Sequence, residues 1–358
     1  MKFGLNFFPV FTPDRKSAGQ YYREVIDLAE RADKAGFDHV QTVEHYGSAY
    51  GGYSPDPVTL LSAIAARTER IRITTGAVIP AFLHPLKLAG KLAMLDNLSD
   101  GRLDAGFGRG FLPDEFDWFG VPMDESRRRF DEGIAACRRL WSESDVRIDG
   151  EFYSFGPVTL LPRPVQQPHP PIFVASAANP ESCAAAGTAG YHLQVVPSIV
   201  SHETLAEMLA GYRSAWAAAG RPLGESRIQI KYTGYVAEDR ARALAWGEQF
   251  ENNYIEQMTA AIASWASTTS QAYQGYEKLI DKVRGYDFGK SLADHKVLAG
   301  TPDDIAEQID WVAHTFGADL EFSVQLNPGY LEHEHAVRAL ELFAADVMPR
   351  FLDTHRDA

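Results

Sequence analysis

The sequence predicts an α/β fold of the (β/α)8 TIM barrel class with insertions, built as one domain over residues 1–358. Three observations predict it. Short apolar, β-branched runs alternate with longer stretches of helical periodicity. The alternation reaches eight strands, each followed by a helical segment, which is the count for a closed barrel. The composition, 45% apolar and 23% charged, suits a globular domain rather than a fibre, a coiled coil or a disordered chain. An open doubly wound sheet is the competing arrangement, and the count of eight favours the barrel.

The elements follow in order. Phe3 to Phe8 reads as the first strand, ended by Pro9. Residues 17–35 carry Tyr21, Val25, Ile26, Leu28, Ala29 and Ala32 at helical spacing, and Gly36 is a fitting stop. Phe37 to Val43 is the second strand, 57–67 the second helix, Ile71 to Ile79 the third strand and 85–98 the third helix. Leu103 to Phe107 and 125–141 make the fourth pair. Residues 147–171 then hold six prolines and two glycines and read as a hairpin excursion. Alternation resumes with strand 172–175, helix 180–187, strand 191–196, helix 202–218, strand 228–236 and helix 238–263. A polar stretch of weak periodicity, 264–299, reads as a mobile loop. Thr301 caps a helix with Pro302 at its first position, Leu320 to Leu326 is the eighth strand, and 334–353 is the closing helix.

Charge and cysteines narrow the function classes. The chain has 34 basic and 48 acidic residues, net −14, and its one basic cluster is Arg127-Arg128-Arg129. Such a surface repels phosphate backbones, so no nucleic-acid partner is expected. No apolar run reaches the length of a membrane span, and MKFGLNFFPVF lacks the regions of a signal peptide, so a cytoplasmic protein is expected. Cys137 and Cys183 lie in helix-like stretches without disulfide or metal-ligand spacing, and no metal is expected.

In a barrel the active site gathers at the C-terminal strand ends. The polar residues there are Glu44-His45-Tyr46, His84, Gly108-Arg109-Gly110, Ser176, Asn179, Ser198, Gln325 and Asn327. His45 is either a proton-transfer group or a satisfied rim histidine, and Glu44 either joins the chemistry or holds the site's backbone. Arg109 between glycines, with Arg127 on the next helix, either grips a phosphate or faces solvent. Ser176 and Asn179 precede a helix whose free N–H groups suit an anion, and both are also ordinary N-caps. Gly106-Phe107-Gly108 is too short for a dinucleotide fingerprint. Tyr46, Phe82, Phe111, Ser198 and Tyr232 are the expected pocket lining.

Taken together, TVEHYGS at 42–48, TTGAVIPAFLHP at 74–85 and MLDNLSDGRLDAGFGRGFLPDEFDWFGVPMDESR at 94–127 resemble the bacterial luciferase family of flavin-dependent oxidoreductases. VASAANPES at 174–182, GTPDDIAEQI at 300–309 and DVMPRF at 346–351 agree, so the resemblance covers nearly the whole chain. It implies a two-component monooxygenase. Reduced FMN would come from a separate flavin reductase and would activate O2 as a flavin C4a-peroxide that oxygenates a small organic substrate. His45 matches the family's catalytic histidine, with Glu44 beside it. Arg109, Arg127 and Ser176 match the residues around the flavin phosphate, Asn179 stands where a Thr contact occurs, and Gly76-Ala77 and Gly108 match the backbone beside the ring. The family often has a non-prolyl cis peptide at Gly76-Ala77. A dimer is implied, taken here as a homodimer, with 264–299 as its lid. Gly108 replaces the luciferase's reactive Cys and Ser198 a Trp, so light emission is not expected. Two alternatives are a deazaflavin (F420)-dependent hydride-transfer enzyme and a non-catalytic flavin-binding subunit.

Overall fold

The computed structural model describes residues 1–352. Eleven strands are present among them: β1 (Lys2–Phe7), β2 (His39–Thr42), β3 (Arg72–Thr75), β4 (Leu103–Phe107), β5 (Val146–Asp149), β6 (Ser154–Val158), β7 (Ile172–Ser176), β8 (His192–Val195), β9 (Ile228–Val236), β10 (Leu298–Gly300) and β11 (Leu320–Gln325). Eight of them close a parallel ring in the order β1, β2, β3, β4, β7, β8, β9, β11, with β11 returning to β1. This is the expected (β/α)8 barrel. Strands β5 and β6 form the antiparallel hairpin of the excursion, and β10 adds a short parallel strand beside β9.

The two strand faces explain why the ring closes around a polar centre. Phe3, Leu5 and Phe7 on β1 alternate with Gly4 and Asn6; Ile228, Ile230 and Tyr232 on β9 alternate with Gln229 and Lys231. The apolar set belongs to the core shared with the helices. The polar set meets across the barrel: Arg227 ion-pairs with Asp104 at 2.9 Å and Glu321 at 2.7 Å, and Gln194 donates to Gln229 at 3.0 Å. Small residues make room. A methyl on Gly4 would collide with the His39 ring, and one on Gly106 with the Thr75 carbonyl.

Departures from the expected elements sit near the strand ends. The third strand stops at Thr75; Gly76-Ala77 is a cis peptide, and Val78 returns to form a single bridge with Phe107. A short helix, Pro113–Trp118, follows β4. The closing helix breaks into His333–Leu342, a π-helical turn and Pro349–Leu352; Asp353 lies outside the described residues.

Segment 264–299 is not structureless. It contains helices Leu279–Arg284 and Phe288–Ala293 and three 3-10 turns. Trp265, Tyr273, Ile280 and Val283 are buried against Ile79, Leu112, Phe116 and Met258. Its apolar anchors fall at irregular spacing, which hides them from a periodicity search while still supplying buried area. No helix among the described residues is long and apolar enough to cross a membrane.

Candidate active site

The strand ends of β2 and β3 and the loop after β4 bring the first group of candidate residues together. His45 follows β2 and is 8% exposed. Its Nδ1 lies 3.0 Å from Oε1 of Glu115, a fully buried carboxylate on the short helix Pro113–Trp118. The same Oε1 accepts the Tyr46 backbone N–H at 2.9 Å. With Glu115 ionised, the pair requires a proton on Nδ1, which in the neutral ring leaves Nε2 as the unprotonated nitrogen. Phe8, Tyr50 and Phe111 surround the ring at centroid distances of 5.6, 5.3 and 6.0 Å. Tyr254 joins this wall, its hydroxyl 3.1 Å from that of Tyr50.

Glu44 points the other way. One of its oxygens accepts the Ile79 N–H at 3.0 Å and the other the Tyr46 hydroxyl at 2.7 Å. Burial pushes its carboxyl up to about 7, against those two donors. It therefore ties the 76–79 backbone to the loop after β2. That backbone is further fixed by Val78 N–H to Gly106 O at 2.9 Å and Gly108 N–H to Val78 O at 2.8 Å. A methyl on Gly108 would lie 3.2 Å from the Ala77 Cβ, so the backbone at Gly108 passes close beside the Gly76-Ala77 segment.

A second cluster is cationic. Arg109 donates to the Ala272 carbonyl at 2.8 Å, and its guanidinium sits 4.3 Å from the Tyr273 ring centroid. Arg127 donates to Ser182 Oγ at 2.6 Å. Burial lowers the pKa of Arg127, and the positive charge of Arg109 lowers it further. Two guanidiniums within each other's field suit an anion between them. Ser176 is buried at the end of β7 and lies 3.4 Å from the Asn179 carbonyl. Asn179 caps helix Pro180–Ala189, accepting the Ser182 N–H at 2.8 Å.

Sequence reasoning missed Glu115, Ser182, Tyr273 and Lys231. Lys231 points into the barrel and donates to the Gly76 carbonyl at 2.7 Å. Tyr232, expected as pocket lining, instead faces the helix layer, stacked on Phe322 with centroids 5.9 Å apart. Strand alternation carries the signal for both: adjacent residues on β9 cannot share a face. Glu115 had a weaker signal, since Pro113-Asp114-Glu115 reads as a helix start.

A (β/α)8 barrel that sets a carboxylate-held histidine and an arginine pair at its strand ends is the framework of a barrel enzyme. The chain belongs to the luciferase-like monooxygenase family, whose model matches residues 1–320, and it is a monooxygenase of that class. It is similar to the oxygenase component of the flavin-dependent trigonelline monooxygenase of Acinetobacter baylyi, 29% identical over 362 aligned positions covering 100% of this chain and 97% of the relative. It is also similar to the FMNH2-dependent dimethylsulfone monooxygenase of Pseudomonas putida, 27% identical over 348 positions covering 92% and 89%. Among solved structures, the monooxygenase RslO1 of Streptomyces bottropensis superposes with a TM-score of 0.89 at 48% identity, covering 98% of this chain and 100% of that one.

Proposed function

We propose that the chain is the oxygenase component of a two-component system that uses reduced FMN and O2 to oxygenate a small organic substrate. The observation that carries this reading is the pairing of two sites at one end of the barrel: the His45–Glu115 pair and the Arg109–Arg127 pair, with the Gly76-Ala77-Gly108 surface following the strands between them in sequence. The residues fit the cofactor. Arg109, Arg127, Ser176 and Ser182 would hold its phosphate, and the 76–77 and 108 backbone would face its ring. When bound, reduced FMN supplies the electrons that activate O2.

The chain's own groups supply the rest. His45 Nε2 takes or returns a proton as general base, and Glu115 keeps Nδ1 protonated. Glu44 holds the backbone in place through Ile79 rather than through contact with the reacting atoms. Asn179 acts as the helix cap that leaves the N-terminus of Pro180–Ala189 turned toward the phosphate. The aromatic wall of Phe8, Tyr50, Phe111 and Tyr254 keeps water away and favours an apolar or planar substrate. Segment 264–299 serves as the lid, reaching Arg109 through Ala272 and Tyr273.

The reduced flavin comes from a separate flavin reductase, as expected for the oxygenase partner in such a pair. A homodimer is proposed on the face carrying the exposed Met94 and Leu98, whose helix is tied by the Asn97 amide to the Arg163 carbonyl in the segment that also exposes Leu161 and Val165. The two free, buried cysteines are compatible with a cytoplasmic protein. A carboxylate-held histidine favours catalysis over a non-catalytic subunit. Anaerobic titration tests the cofactor: reduced FMN is expected to bind and reduced deazaflavin F420 is not, and the reverse result would replace this reading with hydride transfer.

A further inference from the structure

Lys231 takes no part in the His45–Glu115 pair or the Arg109–Arg127 cluster. It projects from β9 into the barrel, 9% exposed, and donates to the Gly76 carbonyl at 2.7 Å. Gln194 Oε1 lies 3.5 Å from its Nζ. A methyl on Gly76 would sit 3.1 Å from that Nζ and collide with Gln41 Oε1, so the lysine and Gln41 lie directly beneath the Gly76 backbone. The groups facing Nζ are thus the Gly76 carbonyl just past β3, Gln41 of β2 and Gln194 of β8. None of them titrates. The fully buried Gln41 also leaves its amide nitrogen without a hydrogen-bond partner among the described residues. A buried ammonium facing neutral amides is costly, so the empty site favours the neutral amine and an anion held nearby favours the charged form.

We propose that Lys231 is the cation that makes this site select the anionic, reduced form of the flavin over the neutral oxidised form. The inference rests on the flavin reading above. A positive charge beneath the Gly76-Ala77 surface stabilises negative charge spread over a ring held against that surface. It does little for a neutral ring of the same shape, so its effect is a difference between two redox forms rather than uniform affinity. Burial alone pulls the lysine down to about 7, so near neutrality it is readily deprotonated in the empty site and is recharged by an arriving anion.

The test compares equilibrium binding of reduced and oxidised FMN, under anaerobic conditions, to the wild-type chain, Lys231→Met and Lys231→Arg. Methionine matches the unbranched stem and removes the buried charge, so the variant is expected to fold; binding of oxidised FMN checks this. The wild type is expected to prefer the reduced form, and Lys231→Met to lose about ten- to hundredfold of that preference while its affinity for oxidised FMN stays within about twofold. Lys231→Arg is expected to keep it. Proton uptake gives a second readout: at pH 8 reduced FMN is expected to draw in a proton on binding to the wild type and none on binding to Lys231→Met. An unchanged preference and unchanged proton uptake in Lys231→Met overturn the inference and leave the flavin reading intact. Failure of the wild type to bind either form overturns both.

Discussion

His45 Nδ1 and Glu115 Oε1 lie 3.0 Å apart across 70 positions of sequence. The contact joins the loop after β2 to the short helix after β4, and it decides which ring nitrogen is free. Glu115 Oε1 serves the Tyr46 N–H as well, so one buried oxygen sets both the tautomer of His45 and the path of the loop that carries it.

Replacing Glu115 by Gln keeps the shape and removes the charge. Turnover is expected to fall about 100- to 10,000-fold, as for loss of a general base, and His45→Ala to fall in the same range. Flavin binding is expected to stay near wild type in both. Steady-state oxygenation against equilibrium flavin titration checks this. An E115Q variant with full turnover would remove the pair from the proton chemistry.

Arg109 and Arg127 are expected to recognise phosphate rather than ring. Arg127→Ala should weaken binding of FMN by about ten- to hundredfold, the worth of a charge-assisted hydrogen bond, and leave riboflavin affinity almost unchanged. Comparing the two ligands in one titration series isolates the phosphate. Equal losses for FMN and riboflavin would place Arg127 elsewhere.

Acid stability is expected to depend on the charged layer at the barrel base. Burial works against Glu321, and the Arg227 guanidinium nevertheless holds its carboxyl down to about 2. A folded-state pKa below the unfolded value gives stability that is present above about 4.3 and lost as the pH falls toward 2, on the order of 3 kcal/mol for this group. His39 and His192, pushed down to about 4 by burial, act in the same sense from about 6.5 downward, because the unfolded chain binds their protons first. Denaturant unfolding between pH 7 and 3 should show falling stability. Arg227→Met should cost about 3–5 kcal/mol by leaving Asp104 and Glu321 buried with too little positive charge.

Segment 264–299 should be anchored by its aromatic residues. Trp265 is 1% exposed, and its indole N–H donates to the Phe111 carbonyl at 3.1 Å. Trp265→Ala should cost about 3–5 kcal/mol within that local unit. Faster amide exchange is expected in the segment, with the barrel strands unchanged. Uniformly faster exchange throughout would show that the segment is part of the global core.

Much of this was legible in the chain. The eight strands and the hairpin excursion follow from alternating patterns, and His45, Arg109 and Ser176 are singled out by strand-end position, but their roles, and that of Arg127 on the next helix, were implied only by the family resemblance. Glu115 was not, because its partner is 70 residues away and no local pattern marks a long-range contact. Lys231 was hidden by its neighbour: Tyr232 looks more like pocket lining, yet the pleat turns it toward the helices and turns the lysine inward. Trp265 and Tyr273 were lost in a stretch whose polar composition outweighed a few irregularly spaced anchors.

The central claim is that this barrel holds reduced FMN in a site that controls its reaction with oxygen. The most direct measurement binds reduced FMN to the protein anaerobically, mixes in O2 and follows the flavin absorbance. Bound reduced FMN is expected to return to the oxidised form more slowly than free flavin, by about tenfold or more, because the site excludes water and stray protons. Reoxidation at the rate of free flavin would contradict it.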